Sequence, residues 1–126
     1  MVEGKYQGFS DDTPLPDMAQ AMQLGDAYAM PDNIRRHSEV VCAVALLLTD
    51  WLLEAGYEFN RRAVEMGALL HDLAKTQCLG SKRRHDDEGA EILAELGYDS
   101  LAFLVRHHVV LPPGAGLDET MIVNYA

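Results

Sequence analysis

The chain has 126 residues and 13.9 kDa, room for one domain, with 48% apolar and 24% charged residues, enough to close a core and too apolar for a disordered chain. Its longest apolar run, Val40 to Leu48, is about half of what a bilayer helix needs, and no basic segment followed by an apolar stretch opens the sequence as a secretion signal does. A net charge of −10 argues against general nucleic-acid binding, because phosphate contacts need a basic surface. Cys42 and Cys78 lack the spacing of a metal finger or redox motif and read as reduced thiols, so a cytoplasmic protein is expected.

Met1 to Pro16 holds glycines, prolines and the Asp11-Asp12 pair without apolar periodicity and reads as an irregular arm ahead of one helical domain over 17–126. A short helix is expected from Asp17 to about Gly25. Pro31-Asp32-Asn33 announces the next, in which Ile34, His37, Val41, Val44, Ala45, Leu48, Trp51 and Leu52 recur at intervals of three and four; it runs to about Ala55, with Gly56 as its stop. A further helix starts near Asn60, with Ala63, Gly67, Leu70 and Ala74 on one stripe. Gln77 to Arg84 reads as a loop. Asp86 to Leu96 is the following helix, with Ala90, Leu93 and Leu96 inward, and Ser100 to His108 the one after it. Leu111 to Gly116 is a turn, and Asp118-Glu119-Thr120 opens a last helix. No stretch alternates as a strand does. The expected fold is all-α, a bundle of about five or six helices.

The charge is uneven. Between Arg61 and His85 lie Arg61, Arg62, Lys75, Lys82, Arg83 and Arg84 against only Glu65 and Asp72, a window of +4 in a chain that is −14 elsewhere. A basic island in an acidic protein suits a small anion, although a solvated loop explains it equally well on charge alone.

Each of the five histidines has an ordinary structural explanation. His37 lies on an apolar helical face, where a histidine is usually a hydrogen-bonded core residue. His71 closes the apolar run Gly67 to Leu70 and is followed at once by Asp72, so two ionisable groups end a buried face and need a partner, either each other or a metal. His85 opens a helix beside Asp86-Asp87, with Gly89 one turn later leaving space for a close approach. His107 and His108 end another helix, where positive charge is favoured. Jointly they fit these explanations less well, since imidazole and carboxylate from several helices of one bundle build transition-metal sites.

The pattern resembles the HD superfamily of metal-dependent phosphohydrolases over about Met30 to Ala126. Pro31-Asp32-Asn33-Ile34-x-x-His37-Ser38-x-x-Val41 is similar to the family's first-helix motif, and Gly67-Ala68-Leu69-Leu70-His71-Asp72-Leu73-Ala74-Lys75 to its central signature. His85-x-x-x-Gly89-Ala90-x-Ile92-Leu93 and Val105-Arg106-His107-His108 resemble the segments that carry additional histidines. The resemblance implies a helical domain in which His37, His71 and Asp72 bind a first divalent transition metal. It also suggests a second metal on His85 and one or both of His107 and His108, with Asp72 as the bridge. Fe, Mn, Co, Ni or Zn suits such nitrogen and oxygen donors. The implied reaction is hydrolysis of a small phosphorylated substrate, a nucleotide or relative of one, by a metal-activated hydroxide. Asp72 and Lys75 are then the candidate catalytic residues, and Lys82, Arg83, Arg84 and Arg106 the candidates for substrate phosphate. No Gly-Tyr-Pro follows His107-His108, which disfavours cyclic-di-GMP.

The family's last ligand is an aspartate commonly preceded by a Tyr-Ala pair. Here the sequence closes on Asn124-Tyr125-Ala126, one residue short of where that ligand is expected, so either the domain is truncated at its C-terminal end, with activity lowered accordingly, or the protein lacks this ligand. The alternative expectation is a non-catalytic metal- or nucleotide-binding regulatory domain.

Overall fold

A computed structural model describes residues 9–10, 12–76, 78, 84–112, 114 and 116–126. Among these residues six helices appear in chain order: α1 (Met18–Ala27), α2 (Asp32–Glu54), α3 (Arg61–Leu70), α4 (His85–Glu95), α5 (Asp99–Arg106) and α6 (Glu119–Tyr125). Among the described residues there is no strand, and no helix is long and apolar enough to cross a membrane.

Local chemistry sets the helix ends. Asp17 caps α1 through a reciprocal pair: its carboxylate accepts from the Gln20 N–H at 2.8 Å, and the Gln20 side chain accepts from the Asp17 N–H at 2.8 Å. Asn60 and Asp118 cap α3 and α6 by accepting from Ala63 N at 3.0 Å and Met121 N at 2.9 Å. Gly56 stops α2 at φ +99°, a left-handed conformation that L side chains rarely adopt. Its N–H donates to Leu53 O while the Tyr57 N–H donates to Leu52 O, closing the orphan carbonyls.

Two antiparallel pairs make the frame, α2 on α3 and α4 on α5, with α6 laid across α2 and α3 and with α1 against α3. The core between them includes Ala45, Val64, Met66, Leu70, Leu73, Leu93, Leu101 and Leu104. Gly67 allows α3 and α5 to approach closely, because a Cβ there would stand 2.6 Å from Leu104 Cδ2. Cys42 lies in this core, where burial, then the charge of Glu65, pushes its thiol up to about 11 and leaves it inert at neutral pH.

The first residues of the expected arm fall largely outside the described set. Near its end, Pro16 is buried and its carbonyl accepts from the Arg62 guanidinium at 3.0 Å. Of the expected Gln77 to Arg84 loop, only Cys78 and Arg84 are described.

The burial of α2 corrects one expectation. The face that packs inward is Ser38, Val41, Cys42, Ala45 and Thr49, whereas Val44 and Trp51, expected on it, are 40% and 59% exposed. A 3.6-residue period fixes the spacing of a stripe but not its edges when both flanks are apolar. Likewise Leu96, expected inward, is 50% exposed, because α4 has already ended and turns out at Gly97.

Candidate metal centre

The helices carrying the two innermost histidines end by the same device. α3 stops at Leu70, short of the expected Ala74, because His71 Nδ1 bonds back to Ala68 O at 2.6 Å and takes the carbonyl that a continuing helix would use. The chain then tightens into turns with three-residue hydrogen bonds, Leu73 N to Leu70 O and Lys75 N to Asp72 O, both at 3.0 Å. α5 stops at Arg106, short of the expected His108, and His108 Nδ1 bonds to Val105 O at 2.5 Å. A carbonyl can only accept, so each Nδ1 carries a proton and each ring turns its Nε2 inward.

Those Nε2 atoms converge on Asp72, which is 4% exposed. Its Oδ2 lies 3.2 Å from His71 Nε2 and 3.7 Å from His37 Nε2; its Oδ1 lies 3.1 Å from His85 Nε2 and 3.9 Å from His108 Nε2. One carboxylate thus faces two imidazole pairs, one on each oxygen. The rings of His71 and His108 stand 4.9 Å apart, and His37 and His85 flank them at 5.6 Å from His71 and His108 respectively. His71 and His108 form the buried floor, while the side chains of His37 and His85 are 53% and 28% exposed at the open side.

The electrostatics suit a cation. Burial alone would raise the Asp72 pKa, but the hydrogen bond from His71 and the positive fields of His71, Lys75 and His85 outweigh it and hold the carboxyl well below its usual range. Burial, helped by the neighbouring His71 and His85, pushes His108 down to about 4, so it is neutral at pH 7. The neutral His108 Nε2 and the Asp72 carboxylate oxygen 3.9 Å away are both acceptors, and two acceptors brought face to face in a buried site are reconciled by a positive ion between them. Two sets of residues have the geometry for one: His37, His71 and Asp72, and Asp72, His85 and His108. Their nitrogen-rich donors with one carboxylate fit a first-row transition metal.

The two members of the histidine pair stand in different places. His107, which the sequence left as an equal candidate with His108, is not in this cluster: its ring packs against Phe103 at 4.5 Å and its Nδ1 faces Val110 O at 3.4 Å. The helix end explains this, since consecutive residues there point in directions about 100° apart. Lys75 is close enough to lower the Asp72 pKa. Arg84 is held by Asp86 at 2.7 Å and Arg106 by Asp87 at 3.1 Å, so both expected phosphate contacts stand beside the cluster in ion pairs. Lys82 and Arg83 lie outside the described residues.

Two supporting residues escaped the sequence. Asp86 is 2% exposed; besides Arg84 it accepts from the Asp87 N–H at 2.9 Å, fixing the first turn of α4 from which His85 projects. Asn124 of α6 donates to His108 O at 2.7 Å and to Val109 O at 3.2 Å, tying that helix to the edge of the site. An acidic residue in the first turn of a helix was the available signal for Asp86, and nothing in the pattern marked Asn124. Gly89 does admit a close neighbour, since a Cβ there would meet Val105 at 3.2 Å.

An all-α bundle with four histidines around one shared, buried aspartate is the architecture of a helical metal-binding domain. The HD domain model matches residues 37–126, and the chain belongs to that family of metal-dependent phosphohydrolase-type domains. It is 36% identical over 87 residues to an uncharacterized protein of Methanocaldococcus jannaschii, an alignment covering 68% of this chain and 48% of that one. It is 33% identical to part of a protein of Picrophilus torridus named tRNA (cytidine(56)-2'-O)-methyltransferase, over 92% of this chain and 34% of that one. The chain therefore spans about half or less of the length of these relatives. No solved structure matches it.

Proposed function

We propose that the chain is a metal-dependent phosphohydrolase acting on a phosphate ester or anhydride of a nucleotide-like molecule. The observation that carries this reading is the division of Asp72 between two imidazole pairs, His37 with His71 and His85 with His108. These five residues would hold one or two divalent ions. When bound, such ions acidify water and neutralise charge gathering on phosphoryl oxygens.

The chain's own residues supply the rest. The Ala68 and Val105 carbonyls hold Nδ1 of His71 and His108, so that Nε2 is the atom each ring would offer to an ion. Lys75, held three residues after Asp72 by the turn, brings a positive charge to the cluster and is suited to a phosphate oxygen. Arg106 is positioned to exchange its contact with the half-exposed Asp87 for substrate phosphate, whereas Arg84, tied to the buried Asp86 carboxylate, would do so less readily.

The test is metal analysis of the purified chain, followed by assay against nucleoside mono-, di- and triphosphates with added Mn, Co or Ni. Bound metal and turnover in the wild type, both lost in Asp72→Ala, are the expected result. Absence of transition metal from protein loaded and desalted under mild conditions would refute the reading. A second reading is a non-catalytic metal- or nucleotide-binding module. It is favoured by the alignment to only a third of a longer protein named for another reaction. Metal without turnover across the panel selects it.

A further inference from the structure

On the outer side of α2, Val40, Val44, Leu47 and Trp51 are each between 40% and 63% exposed. At 100° per residue they fall in a strip about 60° wide, on the side of the helix away from Ser38, Cys42, Ala45 and Thr49. The 4-3-4 spacing is that of a helix–helix seam, in which apolar side chains interlock with those of a second helix. Four large apolar side chains in one exposed line over three turns form a patch that a solitary domain rarely leaves in water.

We infer that this strip pairs with the same strip of a second copy of the chain, with the two α2 helices antiparallel about a two-fold axis. The charges that flank the strip complement one another in that arrangement and not in a parallel one. With the axis between Val44 and Leu47, Val40 meets the partner's Trp51 and Val44 meets the partner's Leu47. Arg36 and Glu54 lie at opposite ends of α2 on the same flank of the strip, both exposed and neither with an ion-pair partner among the described residues. A perpendicular two-fold axis sets like flank against like flank with the ends reversed, so Arg36 comes opposite the partner's Glu54, and this occurs twice. A parallel pair would place each flank against the other, where Val41, Leu48 and Ala55 offer neither residue an opposite charge. The strip begins one turn beyond His37, so the C-terminal end of the partner's α2 would border the open side of the His37–Asp72 cluster. The net charge of −10 on each copy works against association, which makes this a concentration-dependent dimer.

Light scattering on the eluting 126-residue chain, at about 100 μM so as to populate a micromolar dimer, should give twice the 13.9 kDa chain mass. Trp51 is the sole tryptophan, so its emission should shift to the blue as concentration rises. Trp51→Glu should run as a monomer with unchanged helix content. Arg36→Glu should weaken the dimer about tenfold by turning two attractions into repulsions. The exchange Arg36→Glu with Glu54→Arg should restore it to within about threefold, since the two pairs are rebuilt with signs reversed. A monomeric wild type overturns the inference, as does a dimer that survives Trp51→Glu. Failure of the exchange to restore association rules out the antiparallel arrangement.

Discussion

At the scale of single residues, the site depends most on Asp72, the one group that faces every member of the cluster. Asp72→Ala should therefore remove metal more completely than His85→Ala, which leaves His37, His71 and Asp72 together; equal residual metal in the two variants, by elemental analysis, would contradict a shared carboxylate. His108→Ala should lower metal content and His107→Ala should leave it unchanged, a contrast that adjacent residues make unusually clean. The same residues were legible in the sequence to different degrees. His37, His71, Asp72 and His85 could be named from their places in helices and motifs. The choice between His107 and His108 could not be made, because it turns on a single imidazole bonding back to Val105 and so rotating into the interior.

Among the elements, contacts between helices decide what changes are tolerated. Gly67→Ala puts a methyl where Leu104 already sits, between two helices that cannot both recede, and should cost about 1–3 kcal/mol in thermal or denaturant unfolding. Glu119 makes the opposite case. It is buried and its carboxylate accepts from the Asn60 N–H at 2.7 Å, joining α6 to the cap of α3, yet burial raises its pKa. Glu119→Gln keeps an acceptor without the cost of a buried charge and should be neutral or stabilising at pH 7. Glu119→Ala strands the Asn60 N–H and should destabilise by about 1–3 kcal/mol. Helix starts were well marked by Asp17, Asn60 and Asp118, since capping is local chemistry. The ends of α3 and α5 were not, because there a side chain of the site competes with the helix for its own carbonyl. The inward face of α2 was misplaced at Val44 and Trp51 for a different reason: the exposed outer strip is as apolar as the one that packs inward.

For the molecule as a whole, the buried site links stability to acidity. His108 is neutral in the fold with its pKa lowered to about 4, whereas an unfolded chain takes up that proton near its ordinary value of 6.5. The unfolded state therefore binds more protons in this interval, and stability present above pH 6.5 is lost as pH falls toward 4, by up to about 3 kcal/mol in metal-free protein. The contribution of Asp72, whose pKa is lowered instead below the carboxylate range, is lost at more acid pH still. Melting temperature followed from pH 8 to pH 4 should fall in the wild type and fall less steeply in His108→Gln; parallel curves would count against a neutral buried imidazole.

The contrast in exposure across the cluster also has a kinetic consequence. His71 and His108 are clamped at the floor by backbone carbonyls, while His37 and His85 stand at the surface and differ twofold in how much water they meet. An ion can dissociate only as fast as its outermost donor swings aside, and the freer arm swings first. Where both donor sets hold an ion, the one on the His37 side should thus be the labile one and that on the His85 side the retained one. Chelator added to the fully loaded protein should strip it in two phases, and His85→Ala should accelerate the slow phase alone. A single exponential would count against two separable sites.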